Sequence, residues 1–436
     1  MGVTTQSDRL VGLASDIQTT TSTWQRKHVT LLFASLAAIY ILCAWIHYSV
    51  LGVGGSQHFI YLADGWLHGQ LYLHDTPPNP SDYTFYHGHW YVAFPPLPAV
   101  LLLPLVAIFH LSYQGIISLL FSLGMGILNI WLMLNVLKRF SQRQTEELSF
   151  ASVAWLMVLF ALGTEHLYAT LQGNVWYIAH IVATTFLLLY TGETLGKQRP
   201  IVAGIYLGLA ALSRGITLLA FPFFVVLTLS AFLARRRKGE RYLTPARSVF
   251  RGSFFGVLGV FLVGMLIYNQ ARFSSLLDFG YTTMNVNHFV SGNLHAYGQF
   301  SPHFIRTNLH YMLINPPFTL FHGPYLSFSP MGTGIFWTTP ALLFVFLAFW
   351  RKNKEQRWLP AALLLACLLP MSLLLMYFNT GWYQFGYRFV LDFLPFALLL
   401  AASGMQGTPT WCMKLLIVLS VAINFWGLWA FTFFRP

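Results

Sequence analysis

The chain has 436 residues, of which 56% are hydrophobic and only 9% charged, with a mean hydropathy of +0.59. Soluble domains carry roughly 25% charged residues, so the composition excludes an ordinary soluble fold. The formal net charge of +12 does not mark a nucleic-acid surface, because the basic residues sit in short connections between apolar runs, as orientation in a membrane requires. Cys43, Cys367 and Cys412 lie within or beside apolar runs, and no disulfide framework is implied.

Residues 1–28 are polar and carry Arg9, Arg26 and Lys27. The apolar run 29–50 follows without a small-residue cleavage site, so it reads as a retained first span. With the preceding segment cytoplasmic, the polar loop 51–112 lies outside. It contains Asp64, Asp75 and Asp82 together with His58, His68, His74, His87 and His89. Its end, PPLPAVLLLPLVAIFH (95–110), is short and broken by four prolines, each of which removes a backbone donor. Read as a helix on the outer surface, it leaves the cluster KRFSQR (138–143) inside.

Further spans are expected at 113–137, 148–163, 175–192, 200–213, 216–233, 252–270, 332–350, 358–378, 393–405 and 414–433. Many of the runs reach the ~20 residues needed to cross about 30 Å of hydrocarbon. The expected fold is therefore an all-α polytopic membrane protein with about eleven transmembrane helices. Residues 29–270 form a core that includes loop 51–112. Residues 271–331 form an outer cap, and 332–436 add C-terminal spans around an outer loop at 379–392. On this topology every basic residue faces the cytoplasm except Arg214, Arg272, Arg306, Arg388 and Arg435. Charges held near or within the bilayer are costly, so the exceptions mark function or internal pairing.

In IYLADGWLHGQLYL, Ile60, Ala63, Leu67 and Leu71 recur at helical spacing, which predicts an interfacial amphipathic helix. Asp64 and His68 then stand one turn apart, an arrangement suited to general-base work or to simple solvation. His87 and His89, with His74 and Asp82 nearby, match no established metal-ligand spacing, and no metal or other cofactor is expected. Arg214 interrupts GLAALSRGITLLAFPFF. A lone guanidinium there needs an anion, either a phosphate or an internal carboxylate such as Glu165 or Asp392. In GWYQFGYRFVLDFLPF, Arg388 and Asp392 have the spacing of a local ion pair. The surrounding aromatic residues also suit a sugar-phosphate group. YNQARFSSLLDFGY repeats the theme with Arg272 and Asp278.

Several segments in order resemble the GT-C superfamily of membrane glycosyltransferases, in particular its bacterial branch that uses polyprenyl-phosphate sugars. These are YLADGWLHGQLYL, GHWYVAFPPLPAVLLLPLVAIF, GTEHLYATLQGNVWYIAH, GLAALSRGITLLAFPF, YNQARFSSLLDFGY and WYQFGYRFVLDFLPF. The architecture is also similar to that of the aminoarabinose and protein mannosyl transferases. The resemblance implies two surface helices in the first outer loop and inverting transfer on the outer face of a bacterial cytoplasmic membrane. It also implies a polyprenyl-phosphate sugar donor and a glycan, lipid or protein acceptor. An acid of the first loop would activate that acceptor, and a basic residue at the place of Arg214 would neighbour the lipid phosphate.

Many relatives carry an acid immediately after the first span, where this chain reads GVGGSQHF (52–59). The base role therefore passes to Asp64, Asp82 or His58, or the chain is not a competent transferase. Arg214, Arg388 and Arg272 are the candidate phosphate ligands, and His68, Glu165, His166 and Tyr383 are further candidates to line the site. The competing readings are a transporter or lipid-carrier-binding protein and a non-catalytic GT-C relative.

Overall fold

The computed structural model describes residues 24–52, 55–144, 147–237, 245–317, 329–349, 357–405 and 408–433. The expected cytoplasmic segment lies outside the described residues up to residue 23, as do residues 318–328 of the expected cap and Arg435.

The chain is a helical membrane protein. Among the described residues, seven helices are long and apolar enough to cross a bilayer. They include α1 (Arg26–Leu51), α4 (Gln114–Ser141), α7 (Val175–Leu195), α10 (Pro245–Phe273), α12 (Trp358–Leu375) and α14 (Trp411–Phe433). An eighth span arises if α5 (Phe150–Leu162) and α6 (Glu165–Gln172), bent by 43°, are taken together. The other three of the eleven expected spans fall on shorter apolar helices: α8 (Pro200–Ala211), the 3-10 helix Pro340–Phe349 and α13 (Leu394–Gly404). A 12-residue helix rises only about 18 Å, so the count of eleven stands at seven or eight full-length spans. Serine, arginine and glycine at 213–215 stop α8 early, and α9 (Pro222–Arg237) restarts behind a proline.

The bend between α5 and α6 has a local cause. Gly163 and Thr164 interrupt the helix, and Thr164 Oγ1 caps the new one by accepting from the His166 amide at 3.3 Å. Thr339 Oγ1 satisfies the Gly163 carbonyl from across the core at 3.0 Å. Helix α6 then lies close against α4: a Cβ at Gly126 would overlap the Thr170 side chain, and Ser122 donates to the Thr170 carbonyl at 2.8 Å. Gly173, in the left-handed region at φ 57°, ends α6.

The first outer loop departs from expectation in two ways. Helix α2 (His58–Leu67) forms, but residues 58–65 are all buried, so it is a core helix rather than an interfacial one. It packs on α3 (Leu97–Phe109), the proline-rich segment, which is too short to span. Between them the chain forms a hairpin, β1 (Thr84–Tyr86) antiparallel to β2 (His89–Tyr91). His87 and Gly88 make its two-residue turn, both at positive φ (48° and 84°), the geometry of a type I′ turn.

The segment 282–286 lies along the other edge of β1. Asp82 N–H donates to the Asn285 carbonyl and Asn285 N–H to the Tyr83 carbonyl, each at 2.8 Å. Beyond it, helix α11 (His288–Tyr297) and short turns cover the C-terminal end of α12.

Candidate active site

Three of the expected site residues meet in one place. Asp82, from the loop before the hairpin, Arg214, from the break after α8, and Arg388, from the 3-10 helix Arg388–Asp392, all line a narrow crevice of about 40 Å³. Trp176 and His180 of α7 and Asn379 add to its polar wall, and Met284 and Val286 of the segment 282–286 form part of its apolar wall.

Asp82 is placed by its neighbours. Its backbone sits at φ 62°, and its Oδ2 accepts a hydrogen bond from Trp176 Nε1 at 2.8 Å. Burial pushes its carboxyl above the usual range, while the Trp176 bond and the Arg388 charge pull back down. His58 holds the same loop from behind. Its ring stacks on Tyr83 at 3.7 Å, and Nε2 donates to the Ser81 carbonyl at 3.0 Å. Burial lowers its pKa to about 3, so it is a neutral support for the segment carrying Asp82.

Arg214 has an internal carboxylate partner and still borders the crevice. The helix end leaves its backbone extended, and its guanidinium pairs with the fully buried Asp392, Nη2 to Oδ2 at 3.0 Å. Asp392 also accepts from His180 Nδ1 at 2.8 Å. Burial alone would raise the Asp392 carboxyl, but Arg214 and His180 outweigh it and hold it well below the usual range.

The expected local pair of Arg388 with Asp392 does not form. These residues lie in a 3-10 helix, where positions four apart are about 120° apart around the axis rather than on one face. Arg388 instead donates from Nη1 to the Trp382 carbonyl at 3.1 Å, and its guanidinium carbon stands 5.4 Å from the Tyr177 ring centre. Its Nε is buried without a partner. Among the described residues no carboxylate comes within 4 Å of it, so one guanidinium at the crevice keeps its charge unspent.

A second cavity of about 330 Å³ adjoins the first. Arg214 and Tyr377 line both. Its walls are apolar, built from α8, α10 and the turn after Arg214, with Leu212, Ile216, Phe261 and Met265 among them. Tyr377 and Tyr281 hydrogen-bond to each other beside Arg214. A long apolar groove thus ends at a guanidinium that faces a crevice holding a carboxylate.

The remaining candidates lie elsewhere. Asp64 is absent from both cavity walls and faces His68 of its own helix end at 3.5 Å, while His68 stacks on His74. Arg272 clamps the chain before Phe94, donating to the Val92 carbonyl at 2.6 Å and lying 3.9 Å from the Tyr268 ring centre. Its suggested partner Asp278 caps the Gly280 amide at 2.7 Å. His166 is enclosed between Tyr40 at 2.8 Å and Asn129 at 3.1 Å. Glu165 is buried against Gly386, and Tyr383 is largely exposed and receives Tyr177 at its carbonyl. His87 and His89 stack on Tyr86 and Tyr72. No cluster of three or more metal-ligating side chains occurs among the described residues.

The sequence profile of glycosyltransferase family 87 matches residues 91–377. The chain belongs to glycosyltransferase family 87. No curated protein matches it in sequence. Among solved structures, the apo oligosaccharyltransferase of Archaeoglobus fulgidus is similar at 15% identity and a TM-score of 0.50, over 94% of this chain and 56% of that one. The Archaeoglobus fulgidus oligosaccharyltransferase AglB in complex with an inhibitory peptide and a dolichol-phosphate aligns at 14% identity and a TM-score of 0.44, over 91% and 56%. The family 87 chain therefore spans about half the length of these archaeal enzymes, and the first likeness shows a shared GT-C fold.

Neither Trp176 nor His180 stood out in the sequence, because both sit in the apolar run WYIAHIVATT. A histidine inside a predicted span was the one available signal, since intramembrane ionisable residues are rare and usually paired.

Proposed function

We propose that this family 87 member transfers a sugar from a polyprenyl-phosphate-linked donor to a hydroxyl acceptor, with inversion, at the outer face of a bacterial cytoplasmic membrane. The observation that carries this reading is the junction at Arg214, where an apolar groove of about 330 Å³ meets the crevice of Asp82 and Arg388. The groove suits a polyprenyl tail, and the two guanidiniums suit the phosphate that ends it.

In this mechanism Asp82 takes the proton of the acceptor hydroxyl as its oxygen attacks the anomeric carbon from the face opposite the phosphate. The carbon–oxygen bond to phosphate breaks, and the lipid phosphate leaves with the electron pair. Arg214 and Arg388 stabilise the charge it gains, with Arg388 supplying the unspent cation. A single displacement inverts the anomeric centre. Arg388 brings positive charge to the leaving phosphate, Arg214 adds donors although Asp392 offsets its charge, and the reaction is proposed to need no divalent metal. The acceptor is a glycan, lipid or protein hydroxyl.

The outer-face assignment rests on α7. Its first turn, at Val175 and Trp176, borders the crevice, whereas its last turn accepts hydrogen bonds from Arg139 at Gly192 and Arg143 at Leu195. Its 21 residues separate the two ends by about 30 Å, and the basic end is the cytoplasmic one by the positive-inside bias.

Transfer from a radiolabelled polyprenyl-phosphate sugar in proteoliposomes tests the assignment. Asp82→Asn is expected to lower turnover by at least about 100-fold, while Asp64→Asn stays within a few-fold of wild type. The opposite pattern sinks the role given to Asp82. A protein that moves lipid phosphate across the bilayer without sugar transfer would point to transport instead.

A further inference from the structure

His180 has a role that the phosphate and base assignments leave unfilled. Its ring is fully buried and borders the crevice. Asp392 is bonded to Arg214 through both carboxylate oxygens, at 3.0 to 3.4 Å, so it is ionised and can only accept. His180 Nδ1 must therefore donate in the 2.8 Å contact with Asp392. That fixes the neutral ring as the tautomer whose Nε2 carries a bare lone pair. Nε2 is buried and has no partner among the described residues. A buried acceptor without a donor is uncommon and costs free energy, and this one shares its crevice wall with Arg388, whose Nε also lacks a partner among the described residues.

We propose that His180 Nε2 accepts a hydrogen bond from a hydroxyl of the donor sugar, making His180 a substrate-contacting specificity residue. This rests on the reading of the crevice as a sugar-transfer site. Asp392 ties the imidazole directly to Arg214, so the ring stands beside the proposed phosphate position. The part of the donor adjoining its phosphate is the sugar ring. A fixed acceptor there selects donors that present a free hydroxyl to it and disfavours those that replace this hydroxyl with hydrogen or an alkyl ether. The asymmetry is steep in principle, because a site built to bond a hydroxyl is left unpaired by an analogue that lacks it.

The test is binding of undecaprenyl phosphate and of a panel of undecaprenyl-phosphate hexoses (glucose, galactose, mannose) to the detergent-purified full chain. The best-bound hexose is taken forward, with its singly deoxygenated forms. Wild type is expected to prefer the sugar-linked lipid over the bare one and to lose about tenfold in affinity for one deoxy form. His180→Asn keeps a side-chain donor for Asp392 while removing Nε2. It is expected to bind bare undecaprenyl phosphate as wild type does, and to treat that deoxy form and its parent alike. His180→Gln, whose longer amide reaches the Nε2 position, is expected to recover part of the discrimination. If His180→Asn folds and retains the full deoxy penalty, the proposal is overturned. If His180→Asn is lost to misfolding, His180→Gln decides: a deoxy penalty smaller than that of wild type supports the proposal, and the full wild-type penalty overturns it. A wild type that binds bare lipid phosphate without preferring any sugar-linked form overturns this inference alone, and one that binds neither overturns the donor assignment with it.

Discussion

At Asp82 three local forces act together. The left-handed backbone turn presents the carboxylate, the Trp176 indole holds Oδ2, and burial raises the pKa against the pull of Arg388. In the proposed reaction Asp82 must be ionised to take a proton, so kcat/KM is expected to fall as pH drops through this pKa, with the acid limb above the usual carboxylate range. Trp176→Phe removes a bond that favours the ionised form and is expected to move that limb further upward in a pH profile. The stability sign is also set: a raised folded-state pKa favours folding at low pH, and that contribution is lost as pH rises through it. Gly386 offers a separate test, because a Cβ there would collide with the Glu165 carboxylate. Gly386→Ala is expected to cost about 1–3 kcal/mol, read as a lowered thermal midpoint in detergent. Arg214, Arg388 and Asp82 were visible in the sequence as charges out of place. Asp64 drew equal notice by its spacing to His68, but the carboxylate faces that histidine at the helix end and not the crevice. Spacing places residues on one side of a helix and says nothing about what that side meets.

Among elements, the end of α12 is held by one side chain. Asn308 Nδ2 donates to the carbonyls of Leu374, Leu375 and Tyr377 at 3.3, 3.0 and 2.7 Å, groups a helix terminus leaves without intrahelical partners. Tyr377 borders both cavities, so the cap fixes a wall of the site. Asn308→Leu is expected to cost about 1–3 kcal/mol in detergent unfolding and to weaken donor binding. The long spans were legible from hydropathy and length. The hairpin was not, since His-Gly in a loop rich in histidine and aromatic residues carries no alternating pattern long enough to read, and its turn depends on two positive φ values. Helix α2 was legible as a helix but not as a buried one, because its burial comes from α3 and other elements distant from it in sequence.

Across the whole molecule, the groove is a space between elements distant in sequence, walled by residues of α8, the turn after Arg214 and α10, with Phe279, Tyr281 and Phe300 beyond α10. No periodicity within one segment announces such a space. Gly215 lines it, and a side chain there would meet nothing within 4 Å, so Gly215→Leu puts bulk into the groove without displacing protein atoms. It is expected to raise KM several-fold for a long-chain polyprenyl donor and less for a short-chain one, at unchanged folding stability. Equal effects on both donors would separate the groove from the lipid tail.

The pairing of residues 282–286 with the segment carrying Asp82 has a mechanical consequence. The crevice has room for only a few waters, far less than a sugar ring, and Met284 and Val286 stand in its wall. The same short stretch is bonded to Asp82, Tyr83 and Phe85 through their backbones. Lifting that wall to admit reactants therefore pulls on the hydrogen bonds that aim the carboxylate, and restoring them re-aims it. In the proposed reaction, widening the chamber and arming Asp82 are opposed motions of one hydrogen-bonded patch, so the crevice is most open when its carboxylate is least well placed.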